Sequence, residues 1–274
     1  MLPADNHVHT QFSYDTGPQA SMVRACEKAI AMGLPAIAFT EHLDYSDWIV
    51  GDQVADELDR LPPYRQHRKS LDIEGYQRSI AACRDRFSEL RILSGVEVGE
   101  PHLFAASIEN TLKQGTFDRI LGSLHAVVQG RSIVGVGEMF YDSNADEVAR
   151  RYFTEMLRLV AGSSVFQVLA HVDFPRRYWP SNAAPYDEHR FEEEYRAVFT
   201  ELASSGRALE INTRSPMASV ELIRWWHEAG GEAVSFGSDA HTPGRVGELF
   251  DVAVDVVESA GFKPGRDRFD FWRR

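Results

Sequence analysis

Seven short apolar runs alternate with seven amphipathic helical patterns, and this alternation limits the fold more than any other feature of the chain. The runs are Pro3–His9, Pro35–Thr40, Arg91–Glu97, Phe117–Leu124, Val165–His171, Ala208–Asn212 and Glu232–Gly237. The helical patterns are Gln19–Met32, Asp72–Leu90, Leu103–Gln114, Asn144–Ala161, Asp187–Ser205, Ser219–Ala229 and Arg245–Ala260. Such a succession builds a parallel sheet, because each crossover helix covers the sheet it connects. An α/β fold follows, with the sheet closed or nearly closed into a barrel. At 274 residues and 43% apolar, the chain can fill one large core, so residues 1–274 are expected to form one domain.

The runs share a second property: they end in His, Asp or Glu. His7-Val8-His9 places two imidazoles on one side of a strand, because side chains alternate. Thr40-Glu41-His42, Gly95-Val96-Glu97, Gly122-Ser123-Leu124-His125, Leu169-Ala170-His171 and Ser238-Asp239-Ala240-His241 repeat the arrangement. In β/α barrels the C-terminal strand ends carry the active site. The pattern therefore predicts a polynuclear metal site on one face. Imidazole with carboxylate suits Zn²⁺, Fe²⁺ or Mn²⁺, and the lack of Cys ligands argues against a closed structural zinc. His67, His102, His189 and His227 lie in helical or loop segments and read as surface or packing residues.

Composition narrows the function. A formal net charge of −12 and the lack of a basic stripe disfavour nucleic acid as a partner. No segment has the length and hydropathy of a membrane span or a secretory leader. Cys26 and Cys83 lie far apart without metal-type spacing, so free thiols in a reducing cytoplasm are expected. Asp44–Ser70, with Pro62-Pro63, is the longest irregular stretch and reads as a lid or rim loop. No Gly-x-Ser-x-Gly elbow or Walker-type glycine loop occurs.

These motifs, in this order over nearly the whole chain, resemble the polymerase-and-histidinol-phosphatase (PHP) family of metal-dependent phosphoesterases. Leu34–His42, Phe117–His125, Ala208–Asn212 and Gly237–His241 are most similar to its histidinol-phosphatase branch. The resemblance implies a distorted seven-stranded (β/α)7 barrel and two to three divalent transition-metal ions. It implies three ligand sets: His7, His9, Glu97 and Asp239; Glu97, His125 and His171, with Glu97 bridging; and Asp15, His42 and His241. Glu97, Asp239 and His241 carry the catalytic role in this reading. The substrate it implies is a small phosphorylated molecule, L-histidinol phosphate first. Hydrolysis would use a metal-bridging hydroxide, since metals lower the pKa of bound water, and no protein nucleophile is needed.

Arginine is the natural clamp for the remaining phosphate oxygens. Arg176 and Arg177, a few residues after His171, are the first candidates, followed by Arg214 and Arg245. Glu41, Asp173 and Glu210 are candidates for the substrate's ammonium group or for orienting ligands. Two segments depart from the histidinol-phosphatase branch: Thr213-Arg214-Ser215-Pro216, and Leu169-Ala170-His171-Val172-Asp173. Both bear on the substrate pocket rather than on the metal ligands, so another small phosphate ester or a nucleotide is the alternative. A catalytically inactive metal-binding barrel is a further alternative, which the completeness of the nine ligand-type residues disfavours. An amidohydrolase also opens with His-x-His, but it usually uses a strand-end lysine, and no lysine stands at these strand ends.

Overall fold

A computed structural model describes residues 2–46, 70–130, 132–214 and 217–274. The strands are β1 (Asp5–Val8), β2 (Ala36–Leu43), β3 (Arg91–Gly99), β4 (Arg119–Ser123), β5 (Ala126–Gln129), β6 (Ser132–Gly135), β7 (Val168–Leu169), β8 (Ala208–Asn212), β9 (Ala233–Gly237) and β10 (Trp272–Arg273). The α-helices are α1 (Met22–Met32), α2 (Ile73–Arg86), α3 (Ala105–Leu112), α4 (Val136–Met139), α5 (Ala145–Gly162), α6 (Glu192–Ser204), α7 (Val220–Glu228) and α8 (Phe250–Ser259). None of the helices among the described residues is long and apolar enough to cross a membrane. Of the expected rim loop Asp44–Ser70, residues 47–69 lie outside the described residues, as does His67.

One sheet runs β1-β2-β3-β4-β7-β8-β9-β10. Its first seven strands pair in parallel, as the alternation of runs and helices requires. The expected count of seven is corrected to eight, because Trp272–Arg273 adds an antiparallel edge to β9. That edge is held by Trp272, which is buried and meets Phe236 edge-on. A further correction is the hairpin β5–β6, whose strands pair antiparallel outside the main sheet. Its turn opens on Gly130 at φ 62°, a left-handed position that glycine takes without penalty.

Local chemistry sets the helix ends. Ser21, Asp72, Asn144 and Ser219 each accept a first-turn backbone N–H and so cap α1, α2, α5 and α7. The expected helix Arg245–Ala260 shortens to α8, because Gly247 (φ 66°) and Leu249 (φ 60°) turn the backbone left-handed ahead of it. The expected strand Val165–His171 keeps only β7, since His171 leaves the extended region at φ 22°. Buried apolar residues of the helices, such as Met156, Leu159, Phe199 and Trp226, pack with Phe39, Leu209 and Phe236 of the strands.

The curled sheet is stitched where its two ends meet. Val8 forms a parallel bridge with Ala240, and Asp239 N–H donates to His7 O at 2.8 Å. Beneath this seam lies the buried carboxyl of Asp5. Its Oδ1 accepts Ser238 N–H at 2.9 Å and His7 N–H at 3.3 Å, and its Oδ2 accepts Gly247 N–H at 2.9 Å. Burial pushes Asp5 up to about 6 despite these donors. Truncation would orphan three N–H groups in a buried place. Asp5→Ala is therefore expected to cost about 2–4 kcal/mol, and Asp5→Asn, which keeps one acceptor oxygen, about half as much. Urea unfolding of the two variants checks this, and equal stability of Asp5→Ala and wild type would contradict it.

Candidate metal centre

The strand ends deliver the ligand-type residues to one cluster. His7 is the penultimate residue of β1 and His9 follows the strand, His42 lies near the end of β2, and Glu97 lies near the end of β3, with His42 and Glu97 in register. His125, His171 and Asp239 follow β4, β7 and β9 directly or within two residues. Glu100, His171 and Asp239 are three of the four non-glycine residues with positive φ among the described residues. Such backbone costs about 1–3 kcal/mol per residue and gathers at functional sites. Two glycines make room. A side chain at Gly237 would fall 2.1 Å from Glu210 Oε1, and one at Gly99 would fall 2.0 Å from Asp44 Oδ1.

Glu97 sits at the centre. Its Oε1 faces His171 Nε2 at 2.7 Å and His125 Nε2 at 3.3 Å. Its Oε2 faces His42 Nδ1 at 3.0 Å and the Nε2 atoms of His7 and His9 at 3.4 Å each. Asp239 Oδ1 lies 3.9 Å from His7 Nε2 and 3.6 Å from His9 Nε2. Asp15, half-exposed at the rim, reaches His241 Nε2 at 2.8 Å and His42 Nε2 at 3.4 Å. Three overlapping groups have ligand atoms close enough to share an ion: His7, His9 and Asp239; His42, Glu97 and His125; and His9, His42 and His241. All nine ligand-type residues singled out in the sequence thus meet in one place.

The donor set fits divalent cations. Buried Glu97 Oε2 and His42 Nδ1 have no hydrogen-bond partner although only 3.0 Å separates them. His7 Nε2 and His9 Nε2 lie 3.0 Å apart. Lone pairs converging in a buried space repel one another without positive charge between them. Burial and the neighbouring imidazoles of His42, His241 and His7 hold His9 well below the ordinary imidazole range, so the ring is a neutral donor. Burial disfavours the Glu97 carboxylate, but His7, His125 and His42 outweigh it and hold the group well below its usual range.

Buried acids support the ligand-type side chains from behind. Glu210 Oε1 lies 2.6 Å from His7 Nδ1, and its Oε2 accepts His171 N–H at 2.7 Å. Glu41 is fully buried and takes the Thr10 and Ser13 hydroxyls. Asp173 pairs with Arg176 at 3.0 Å. Asp44 was missed in the sequence. It is buried, accepts the Tyr14 hydroxyl at 2.5 Å and lies 3.2 Å from His125 Nδ1. Its signal was the same-face spacing from His42 that had made His7 and His9 conspicuous. Glu100, pushed up to about 7 by burial and by Asp44, accepts His125 N–H at 2.7 Å and Ala126 N–H at 2.9 Å.

The cluster opens into a cavity of about 810 Å³. Its wall includes Tyr14, Glu138, Tyr141, Phe174 and Tyr178, with Arg177, Arg214 and Arg245. Arg177 Nη2 donates to Asp239 Oδ2 at 2.6 Å, and Arg214 Nη1 to Asp239 Oδ1 at 3.0 Å. Arg176 is not part of the wall; it pairs with Asp173 and lies over the Tyr186 ring. Glu41, Asp173 and Glu210 do not line the cavity either. Outside the site, His102 is paired with buried Glu155, and Cys26 and Cys83 are buried free thiols.

The PHP domain model matches residues 5–214, and the chain belongs to that family. A histidinol-phosphatase of Lactococcus lactis subsp. lactis is 28% identical over 271 residues, spanning 96% of this chain and 93% of its own. The crystal structure of histidinol phosphate phosphatase from that organism, complexed with Zn, L-histidinol and phosphate, matches with a TM-score of 0.81. It is 25% identical and the match covers 96% of this chain and 95% of that one. A Listeria monocytogenes chain, 15% identical with a TM-score of 0.71 over 91% of this chain and 99% of its own, shares the fold.

Proposed function

We propose that this chain is a metal-dependent phosphomonoesterase that hydrolyses L-histidinol phosphate to L-histidinol and phosphate. The observation that carries the reading is a buried His/Asp/Glu cluster opening into a cavity walled by arginines, on a fold matched nearly end to end by a relative crystallised with Zn, L-histidinol and phosphate. His7, His9, Glu97 and Asp239 would hold one ion, Glu97, His125 and His171 a second, and Asp15, His42 and His241 a third. Two to three Zn, Fe or Mn ions suit these N and O donors. When bound, such ions supply Lewis acidity and an activated water at neutral pH.

The protein's own residues supply the rest. Glu97, Asp239 and His241 hold the centre together from two strand ends, those of β3 and β9. Arg177 and Arg214 reach the mouth of the cluster and bind the phosphate oxygens that the ions leave free. Glu138, on the wall with Tyr141 and Tyr178, receives the substrate's ammonium group, a role first expected of Glu41, Asp173 or Glu210. The seven parallel strands make the distorted barrel of the family, with β10 appended at its edge. Residues 1–274 act as one domain in this reading, since His7 and His241 serve one centre. Two free thiols suit a reducing cytoplasm.

Phosphate release is the test, with Zn²⁺, Mn²⁺ or Fe²⁺ supplied and histidinol phosphate set beside sugar phosphates and nucleotides. The pocket must discriminate through the leaving alcohol, because the ions accept any phosphate. A kcat/KM at least about tenfold higher for histidinol phosphate is expected from a polar site built for that alcohol. A ratio near or below one would reject this substrate in favour of another small phosphate ester.

A further inference from the structure

His7 and His9 turn their Nε2 atoms toward each other, and the location of each ring proton is decided on the far side of the ring. For His7 the partner is Glu210 Oε1, which as a carboxylate oxygen only accepts. For His9 it is Ser13 Oγ at 2.9 Å, a group able to donate or accept. The other neighbours of Ser13 remove that freedom. His42 N–H donates to Ser13 Oγ at 3.1 Å, and Glu41 Oε2 lies 2.6 Å from it. Glu41 also receives Thr10 N–H on Oε2 at 3.0 Å and the Thr10 hydroxyl on Oε1 at 2.5 Å, so it serves as an acceptor throughout.

A hydroxyl has one proton and two lone pairs. The Ser13 proton goes to Glu41, one lone pair takes His42 N–H, and the other is left for a proton on His9 Nδ1. We infer that Ser13, backed by Glu41, is a positioning residue that fixes His9 as its Nδ1–H tautomer and turns a bare Nε2 toward the cluster. The inference rests on the metal-centre reading given above. Were the Ser13 proton directed at His9 instead, His9 would carry N–H on Nε2 and donate it to His7. That hydrogen bond would occupy the place of a ligand pair. Ser13, Glu41 and His9 are all buried, so bulk water does not substitute for the hydroxyl.

The test measures Zn²⁺ binding to the metal-depleted full-length protein by competition with a chromophoric chelator. Ser13→Ala is expected to weaken binding roughly 10- to 100-fold, the usual cost of losing a partner behind a ligand. Glu41→Leu, without an acceptor, should follow it. Glu41→Gln should recover most of the affinity, because its amide oxygen accepts from Ser13 and Thr10 N–H while its NH₂ faces the Thr10 hydroxyl. Wild-type affinity in Ser13→Ala would overturn the inference. A second readout needs no variant: ring ¹⁵N spectra of the metal-depleted wild type should show the His9 proton on Nδ1, and a proton on Nε2 would overturn it. A wild type that takes up no Zn²⁺ defeats the metal-centre reading, and the ring spectrum then still decides the role of Ser13.

Discussion

Glu97→Ala is expected to strip most of the metal from the centre and with it nearly all turnover. The two carboxylate oxygens serve different halves of the cluster, Oε1 toward His125 and His171, Oε2 toward His7, His9 and His42. With the carboxylate gone, five imidazoles lose the anion between them, and Asp239 and Asp15 remain only at the edge of the cluster. Elemental analysis should fall to at most one ion per chain. The catalytic contribution of such ions is several kcal/mol, so kcat/KM should drop by roughly a thousandfold or more. The residue is fully buried, so circular dichroism of the metal-depleted variant must accompany the kinetics to separate loss of metal from loss of fold. Retention of wild-type metal content and activity would refute the bridging role of Glu97.

Arg177→Ala and Arg214→Ala are expected to lower kcat/KM by roughly ten- to a hundredfold or more each. A charge-assisted hydrogen bond to phosphate is worth about 1.5–3 kcal/mol, and it is lost with the guanidinium. Both arginines touch Asp239, so metal analysis must accompany the kinetics. Unchanged metal content with reduced turnover marks a phosphate contact. Arg176→Ala is expected to stay close to wild type, since its guanidinium is spent on Asp173 and the Tyr186 ring. A larger loss for Arg176→Ala than for Arg177→Ala would reverse the assignment.

The contrast between these neighbours shows where reading a sequence stops. Phe174–Tyr178 is a turn of 3-10 helix, in which adjacent side chains point about 120° apart. One arginine, Arg176, therefore turns away from the cavity and the next, Arg177, enters it, and only the phase of the turn decides which. The cluster itself was legible because strand pairing has a period of two, and a ligand-type residue at the end of an apolar run can be recognised without knowing its partners. The cavity wall was less so. Gly135, Val136, Gly137 and Glu138 belong to the end of a hairpin and a four-residue helix, elements too short to leave a periodic signal. Glu41, Asp173 and Glu210 had the right charge for a substrate contact. In the fold Glu41 and Glu210 are claimed by buried O–H and N–H groups, and Asp173 by the part-buried guanidinium of Arg176.

The seam between β1 and β9 has a consequence for how the protein is made. His7 and His9 leave the ribosome more than two hundred residues ahead of Asp239 and His241. The backbone bonds that bring them together, Asp239 N–H to His7 O and His9 N–H to Ala240 O, cannot form on a partial chain. At synthesis rates of about 5–20 residues per second, the first two histidines wait on the order of ten seconds or more for their partners. Metal capture by the complete centre is thus a late event of biogenesis. Stalled or truncated chains ending before residue 238 should present the early histidines without the grip that retains an ion.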